Sequence, residues 1–171
     1  MRLPVKLTYK DLESLPEDGK RYELHEGEVF VTAAAGVDHQ ELDDEIGSRL
    51  KAFVRQHKLG KVYHAVDVCF TADTTYTPDL VFVSTARAHL VFRKRIRGAP
   101  DLIVEIVSPS TEVRARGIKL QDYARYGVPE YWIFDALGRA ADVYVLRGKV
   151  YKLRAHLGEI ERGLLIGDVA A

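Results

Sequence analysis

DLIVEIVSPS, residues 101–110, is the most informative segment of this sequence for its architecture. Its aliphatic run is typical of a central strand buried on both faces of a sheet. Pro109 must lie outside that strand, because proline cannot continue a central ladder. Glu105 stands in the middle of the run, where an ionised carboxylate is costly unless it is paired, protonated or bound to a metal. The sequence therefore predicts a partner or a function for Glu105.

Helices and strands alternate on both sides of this run. The long helix is expected to begin at Asp38 as its N-cap, and Gly127 is expected to end the second helix. The patterns predict a hairpin turning at His25-Glu26-Gly27, a helix over 38–58, strands over 61–70, 79–83 and 130–135, a helix over 114–126, and a hairpin turning at Arg147-Gly148. This alternation predicts one α/β domain over residues 1–171, an α/β sandwich with a mixed sheet.

Composition narrows the class of protein. The chain of 171 residues is 47% hydrophobic and 29% charged, which is typical of soluble globular proteins. Lys+Arg and Asp+Glu both number 25, so nucleic-acid binding would need a local basic patch. The single cysteine, Cys69, excludes an internal disulfide and a thiolate-rich zinc site. No apolar run approaches the ~20 residues that span a bilayer, so we expect a cytoplasmic protein with no membrane partner.

Two aspartates precede apolar strands and are candidates to work with Glu105. Asp101 lies four residues away on the same strand, roughly 13 Å distant, and is expected to be a strand-end cap facing water. Asp79 lies on another strand, and neighbouring strands are only about 5 Å apart. Asp79 and Glu105 can therefore converge into a site for a hard cation such as Mg²⁺. The alternative is that Asp79 caps its strand and Glu105 pairs with a buried arginine.

Cationic side chains follow on the next helix. Lys119 falls where a helix would pack back near the end of the Glu105 strand, and its ammonium could hold a phosphate oxygen. The alternative is a solvated surface lysine. Arg114 and Arg116 are either phosphate ligands or simply exposed.

Three segments together resemble a known family. TPDLVFV (77–83), GAPDLIVEIVSPST (98–111) and KLQDYARYGVPEYWIFD (119–135) are similar to the Uma-type restriction endonucleases, a branch of the PD-(D/E)XK nuclease superfamily. YELHEGEVF (22–30) and the helix that His39 begins match the usual start of that family. The resemblance extends over nearly the whole chain.

The resemblance implies a restriction-endonuclease-like α/β/α core with a central mixed sheet. It also implies that Asp79 and Glu105 are ligands of Mg²⁺ or Mn²⁺. The superfamily signature would place a lysine at position 107, where this chain has Val107; Lys119 occupies the position to which the lysine has moved in this family. Glu23 and His39 match recurrent family positions, with roles in the site or in hairpin and helix capping.

Together, these expectations predict a metal-dependent endonuclease that hydrolyses phosphodiester bonds of DNA. The metal would polarise the scissile phosphate, and Lys119 would stabilise the developing negative charge. Cutting both strands at one place needs two active sites, which predicts a homodimer. The alternatives are a catalytically inactive nuclease-fold module that binds DNA, which the loss of the strand lysine favours, and hydrolysis of another phosphoester.

Overall fold

The computed structural model describes residues 6–137 and 140–157. The helical elements are α1 (Tyr9–Leu12), α2 (Val37–Gln56), a 3₁₀ helix (Thr85–Leu90), α3 (Glu112–Arg114), a π-helical turn (Ala115–Lys119) and α4 (Leu120–Tyr126). The strands are β1 (Arg21–His25), β2 (Glu28–Thr32), β3 (Gly60–His64), β4 (Asp67–Cys69), β5 (Thr75–Tyr76), β6 (Leu80–Ser84), β7 (Arg95–Arg97), β8 (Leu102–Val107), β9 (Glu130–Asp135), β10 (Ala141–Arg147) and β11 (Val150–Leu157). Among these residues, no helix combines the length and apolar character needed to cross a bilayer.

The strand predicted from residues 101–107 lies inside a six-stranded sheet. The strand order is β11-β10-β9-β8-β6-β3. β8 pairs in parallel with β9, and every other pair in this sheet is antiparallel, so the sheet is mixed. All six residues of β8 are buried. A central, fully covered strand explains its near-continuous aliphatic sequence.

The two faces of β8 pack against different layers. Leu102, Val104 and Ile106 share one hydrophobic cluster with α2 residues such as Leu50. Ile103 and Val107 point to the other face, in a cluster with residues of the π turn and α4. Because strand side chains alternate, Glu105 also points to this second face. The predicted α/β/α arrangement is confirmed.

A second sheet, which the sequence patterns did not predict, covers part of that second face. Its order is β2-β1-β5-β4-β7. Val68 and Ile96 of this sheet pack on Val81 and Val83 of β6. The prediction of one strand over 61–70 was wrong, because Ala65 adopts a φ of 44° and the chain leaves one sheet for the other at that point.

Local signals account for most element ends. The turn between β1 and β2 has positive φ at both Glu26 (49°) and Gly27 (85°), the pattern of a tight hairpin turn. Gly127 ends α4 in the left-handed conformation, as predicted. The prediction that Asp38 caps α2 was wrong: Gly36 is the N-cap, and Asp38 lies in the first turn. There its charge still interacts favourably with the helix dipole.

Candidate active site

One cleft of 1090 Å³ collects the five residues that the family resemblance implies for the site. Its lining includes Glu23 from β1, His39 from the start of α2 and Lys119 from the end of the π turn. Asp79 and Glu105 line the same cleft from the six-stranded sheet. The structure therefore brings all five residues together.

Asp79 and Glu105 approach each other through strand pairing. Leu80 pairs with Val104 in the antiparallel ladder of β6 and β8. Asp79 precedes Leu80 and Glu105 follows Val104, so the same register places the two carboxylates opposite one another on one face of the sheet.

Asp79 is held by three donors. The Ile106 backbone N–H donates to Asp79 Oδ2 at 2.7 Å, and the Arg21 guanidinium donates to Oδ1 at 2.8 Å. His39 Nε2 lies 3.3 Å from the same Oδ1. Burial acts to raise the pKa of Asp79, but His39, Arg21 and the Ile106 N–H outweigh burial and hold it below its ordinary value. Asp79 is therefore ionised in the folded protein at neutral pH.

Glu105 is paired, although not with the arginine of the alternative interpretation. Lys119 Nζ donates to Glu105 Oε1 at 2.7 Å, and the Tyr123 hydroxyl donates to the same oxygen at 2.8 Å. Burial raises the pKa of Glu105, and the charges of Asp79 and Glu23 raise it further against the pull of Lys119. Neighbouring carboxylates thus oppose the ionised form that a metal would need.

Lys119 lies between two carboxylates and is only 6% exposed, so the interpretation as a solvated surface lysine was wrong. Its Nζ donates to Glu23 Oε1 at 2.9 Å as well as to Glu105. Burial acts to lower the pKa of Lys119, but both carboxylates outweigh burial and raise it. The lysine is therefore charged and fixed. It is the last residue of the π turn, a deviation that occurs frequently at functional sites.

Glu23 joins the five-stranded sheet to the helical layer. It accepts from the Thr77 N–H at 2.9 Å and from the Arg114 guanidinium at 2.6 Å, besides Lys119. Arg114 is therefore ion-paired rather than free for phosphate. Arg116 is likewise paired, with Asp142 and with Glu112.

His39 and Asp101 have separate environments. His39 lies in the first turn of α2, and hydrogen bonding to Asp79 raises its pKa above the ordinary 6.5. Its buried Nδ1 has no hydrogen-bond partner among the described residues. Asp101 accepts from the Ser84 N–H at 2.6 Å and lies 3.5 Å from Arg87 Nε, so it caps a strand end as predicted and does not join the cleft. The prediction that it faces water was wrong, because only 23% of its side chain is exposed.

Two residues of the site were missed in the sequence. Arg21 precedes Glu23 by two positions on β1, and strand alternation places both on one face. Tyr123 follows Lys119 by four positions on one helical run, which places both on one side of it. The sequence spacing would have placed Arg21 beside Glu23 and Tyr123 beside Lys119. The presence of an arginine or a tyrosine at these positions does not by itself predict which carboxylate it contacts.

The donor atoms fit a hard divalent cation with few protein ligands. Within the described residues, no three His, Cys, Asp or Glu side chains are grouped to hold one ion. Mg²⁺ is commonly bound through one or two carboxylates, with waters and substrate phosphates completing its shell. Asp79 and Glu105 suit that mode. The cations Arg21, Arg114 and Lys119 pair with the carboxylates of Asp79, Glu23 and Glu105.

Comparison with known proteins agrees with this architecture. A solved structure titled as "a putative nuclease belonging to DUF820", from Anabaena variabilis, superposes with a TM-score of 0.71. The two chains are 19% identical, and the match covers 86% of this chain and 83% of the other, which establishes a shared fold. No curated protein matches the sequence. The family model Uma2, described as "Putative restriction endonuclease", matches residues 9–165, so the chain belongs to the Uma2 family.

Proposed function

We propose that this protein is a metal-dependent endonuclease that hydrolyses phosphodiester bonds in DNA. Membership of a restriction endonuclease family and similarity to a protein titled as a nuclease support this reaction class. The observation that carries the proposal is the meeting of Asp79 and Glu105 on paired strands, inside a cleft that also holds a buried, charged Lys119.

Asp79 and Glu105 would hold Mg²⁺ or Mn²⁺. When bound, the metal supplies Lewis-acid polarisation of the scissile phosphate and a more acidic water. Its positive charge would also offset the burial and the repulsion from Asp79 and Glu23 that raise the pKa of Glu105. The Tyr123 hydroxyl and Lys119 orient the Glu105 carboxylate. Lys119 also supplies a fixed positive charge close to the phosphate.

Plasmid cleavage tests the proposal. Wild-type protein is incubated with supercoiled DNA and Mg²⁺ or Mn²⁺, beside Asp79→Asn and, as control, Glu41→Gln on the exposed side of α2. We expect Asp79→Asn to lower cleavage by about 10²-fold or more, as commonly follows loss of a group that stabilises the transition state. Calorimetry should show that Asp79→Asn also loses metal binding while Glu41→Gln keeps it. Cleavage unaffected by Asp79→Asn would contradict the proposal.

A second candidate is a nuclease-fold module that binds DNA without cutting it. Two observations favour it: Arg21 already occupies Asp79 Oδ1, and Val107 stands where a strand lysine is expected. Arg21→Gln separates the candidates. If the carboxylates serve a metal, removing a competing cation should tighten Mn²⁺ binding by about tenfold. DNA binding without metal binding in either protein would favour the second candidate.

The proposal includes a homodimer, because a double-strand cut needs two such clefts. It also places the protein in the cytoplasm. Light scattering of the protein alone and on a short duplex should give the mass of two chains per duplex.

A further inference from the structure

A short loop beside the cleft carries an unusual concentration of positive charge. This loop, residues 92–97, continues into β7 and includes Arg93, Lys94, Arg95 and Arg97. None of these four forms a salt bridge with a described residue, whereas Arg21, Arg114 and Lys119 inside the cleft are all paired. The chain as a whole has a formal net charge of zero. The positive potential here is therefore a local feature of the surface.

The loop is built to hold its shape. Phe92 N–H donates to the Arg95 carbonyl at 2.9 Å, and Val91 bridges Ile96 across the turn. Ile96 is fully buried and anchors β7, which pairs in parallel with β4. The Arg97 guanidinium lies 4.5 Å from the centre of the Phe92 ring. Stacking of this kind restricts the arginine before any ligand arrives.

The loop also borders the proposed active site. Lys94 lines the same cleft as Asp79, Glu105 and Lys119. Arg93 and Lys94 are exposed at the tip of the loop, and Phe92 beside them is 47% exposed. The loop therefore presents positive charge at the edge of the cleft in which a phosphate would bind.

We propose that the loop formed by residues 92–97 binds the phosphate backbone of duplex DNA flanking the bond in the cleft. This inference rests on the proposed DNA substrate and assigns the surface that holds it. The contacts are electrostatic, so they position the duplex without reading its sequence. Neutralising phosphates releases counterions, which makes such binding steeply dependent on salt.

The test measures duplex binding by fluorescence anisotropy in EDTA, which prevents cleavage, from about 50 to 300 mM NaCl. Three proteins are compared: wild type, Arg93→Gln/Lys94→Gln/Arg97→Gln, and a control that removes equal charge, Arg147→Gln/Lys149→Gln/Lys152→Gln. The three control residues are exposed on the β10–β11 hairpin and do not line the cleft. The loop variant should weaken binding by about 10- to 100-fold and lower the slope of log K against log salt by roughly 2 to 3. The control should change both far less.

The outcomes separate this inference from the proposed function. If the two triple variants weaken duplex binding equally, or if the loop variant does not weaken it, the proposed role of the loop is wrong. Metal binding and cleavage are tested separately, by calorimetry and plasmid cleavage. Arg93→Gln/Lys94→Gln changes only the exposed tip and should lower the slope by about 2. Because this variant keeps Arg97 and its contact with Phe92, its effect cannot be caused by misfolding of the loop after that contact is lost. Wild-type protein that neither binds nor cuts DNA would overturn both proposals. The effect should be the same on two duplexes of unrelated sequence, because a sequence-dependent effect would mean base readout.

Discussion

Lys119 is the residue on which the buried charges of the cleft converge. It holds Glu105 and Glu23 together, and its own charge depends on both. Lys119→Met should therefore cost about 3–5 kcal/mol of unfolding free energy, because it leaves the buried Glu105 without its cation, while Glu23 keeps only Arg114. Adding Glu105→Gln should recover part of that loss: the amide keeps the size of the side chain and removes the repulsion with Asp79 and Glu23. Denaturant unfolding in EDTA measures all of these variants.

Glu105→Gln alone should change the stability of the metal-free protein little. Its amide oxygen can still accept from Lys119 and Tyr123, and Lys119 keeps its ion pair with Glu23, while the Glu105 charge that burial and the neighbouring carboxylates oppose is gone. Metal binding should be lost in the same variant. The control for Lys119→Met is Lys152→Met on the exposed part of β11, which should not change stability.

The double variant Lys119→Met/Glu105→Gln gives the decisive comparison. If it is less stable than Lys119→Met alone, Glu105 is held mainly by structural hydrogen bonds.

His39 gives the cleft a pH dependence. Because hydrogen bonding to Asp79 raises the folded-state pKa of His39 above 6.5, protonated His39 stabilises the folded state at low pH. That contribution is lost as pH rises through the folded-state pKa. The stability advantage of wild type over His39→Asn should therefore be larger at about pH 5.5 than at about pH 8.5. Unfolding curves in EDTA at both pH values measure it, and exposed His89→Asn should show no such change.

At the scale of elements, α2 is shaped to accept a histidine from β3. A Cβ at Gly47 would lie 2.4 Å from His64 Cε1, and the His64 ring is held by Asp43 Oδ2 at 3.0 Å. Gly47→Ala should gain up to about 1 kcal/mol of helix propensity but lose more through this overlap, for a net cost of about 1–2 kcal/mol. Thermal or urea unfolding would measure the change.

Gly117 supplies the matched control. It also lies within a helical run, and a Cβ there would meet nothing within 4 Å. Gly117→Ala should therefore stabilise the protein by about 0.5–1 kcal/mol. In a His64→Ala background, Gly47→Ala should lose most of its cost. A stabilising Gly47→Ala in the wild-type background would show that His64 moves aside without penalty.

Elements with strong local signals could be predicted from the sequence. The aliphatic run of β8, the Glu26-Gly27 turn and Gly127 each reflect a constraint carried by neighbouring residues. The break at Ala65 could not be predicted, because its positive φ accompanies a hydrogen bond from its N–H to the carbonyl of Asp79, a residue distant in the sequence. The π turn that precedes α4 leaves no compositional signal either.

At the scale of the whole molecule, the cleft exists only because two sheets meet. The strand spacing of β6 and β8 was enough to predict that Asp79 and Glu105 converge. The second sheet was not predictable, since its strands are as short as two residues and its order places β1 between β2 and β5. Arg21 and Glu23 reach the site from that sheet, so their exact partners were invisible in the sequence. Charge compensation in the cleft is a consequence of this docking.

Glu23 should therefore control how firmly the five-stranded sheet is attached. Its carboxylate is almost fully buried and connects β1 to Arg114 and Lys119 of the helical layer. Glu23→Gln removes the charge that both cations share, which should destabilise the docking of this sheet more than the interior of the six-stranded one. Hydrogen exchange should accelerate at Leu24 and Thr77, while Ile103 and Ile133 stay protected. Glu28→Gln, exposed on β2 of the same sheet, should leave all four amides unchanged. Equal acceleration in both sheets would mean that they open as one cooperative unit, and that Glu23 supports global stability rather than their attachment.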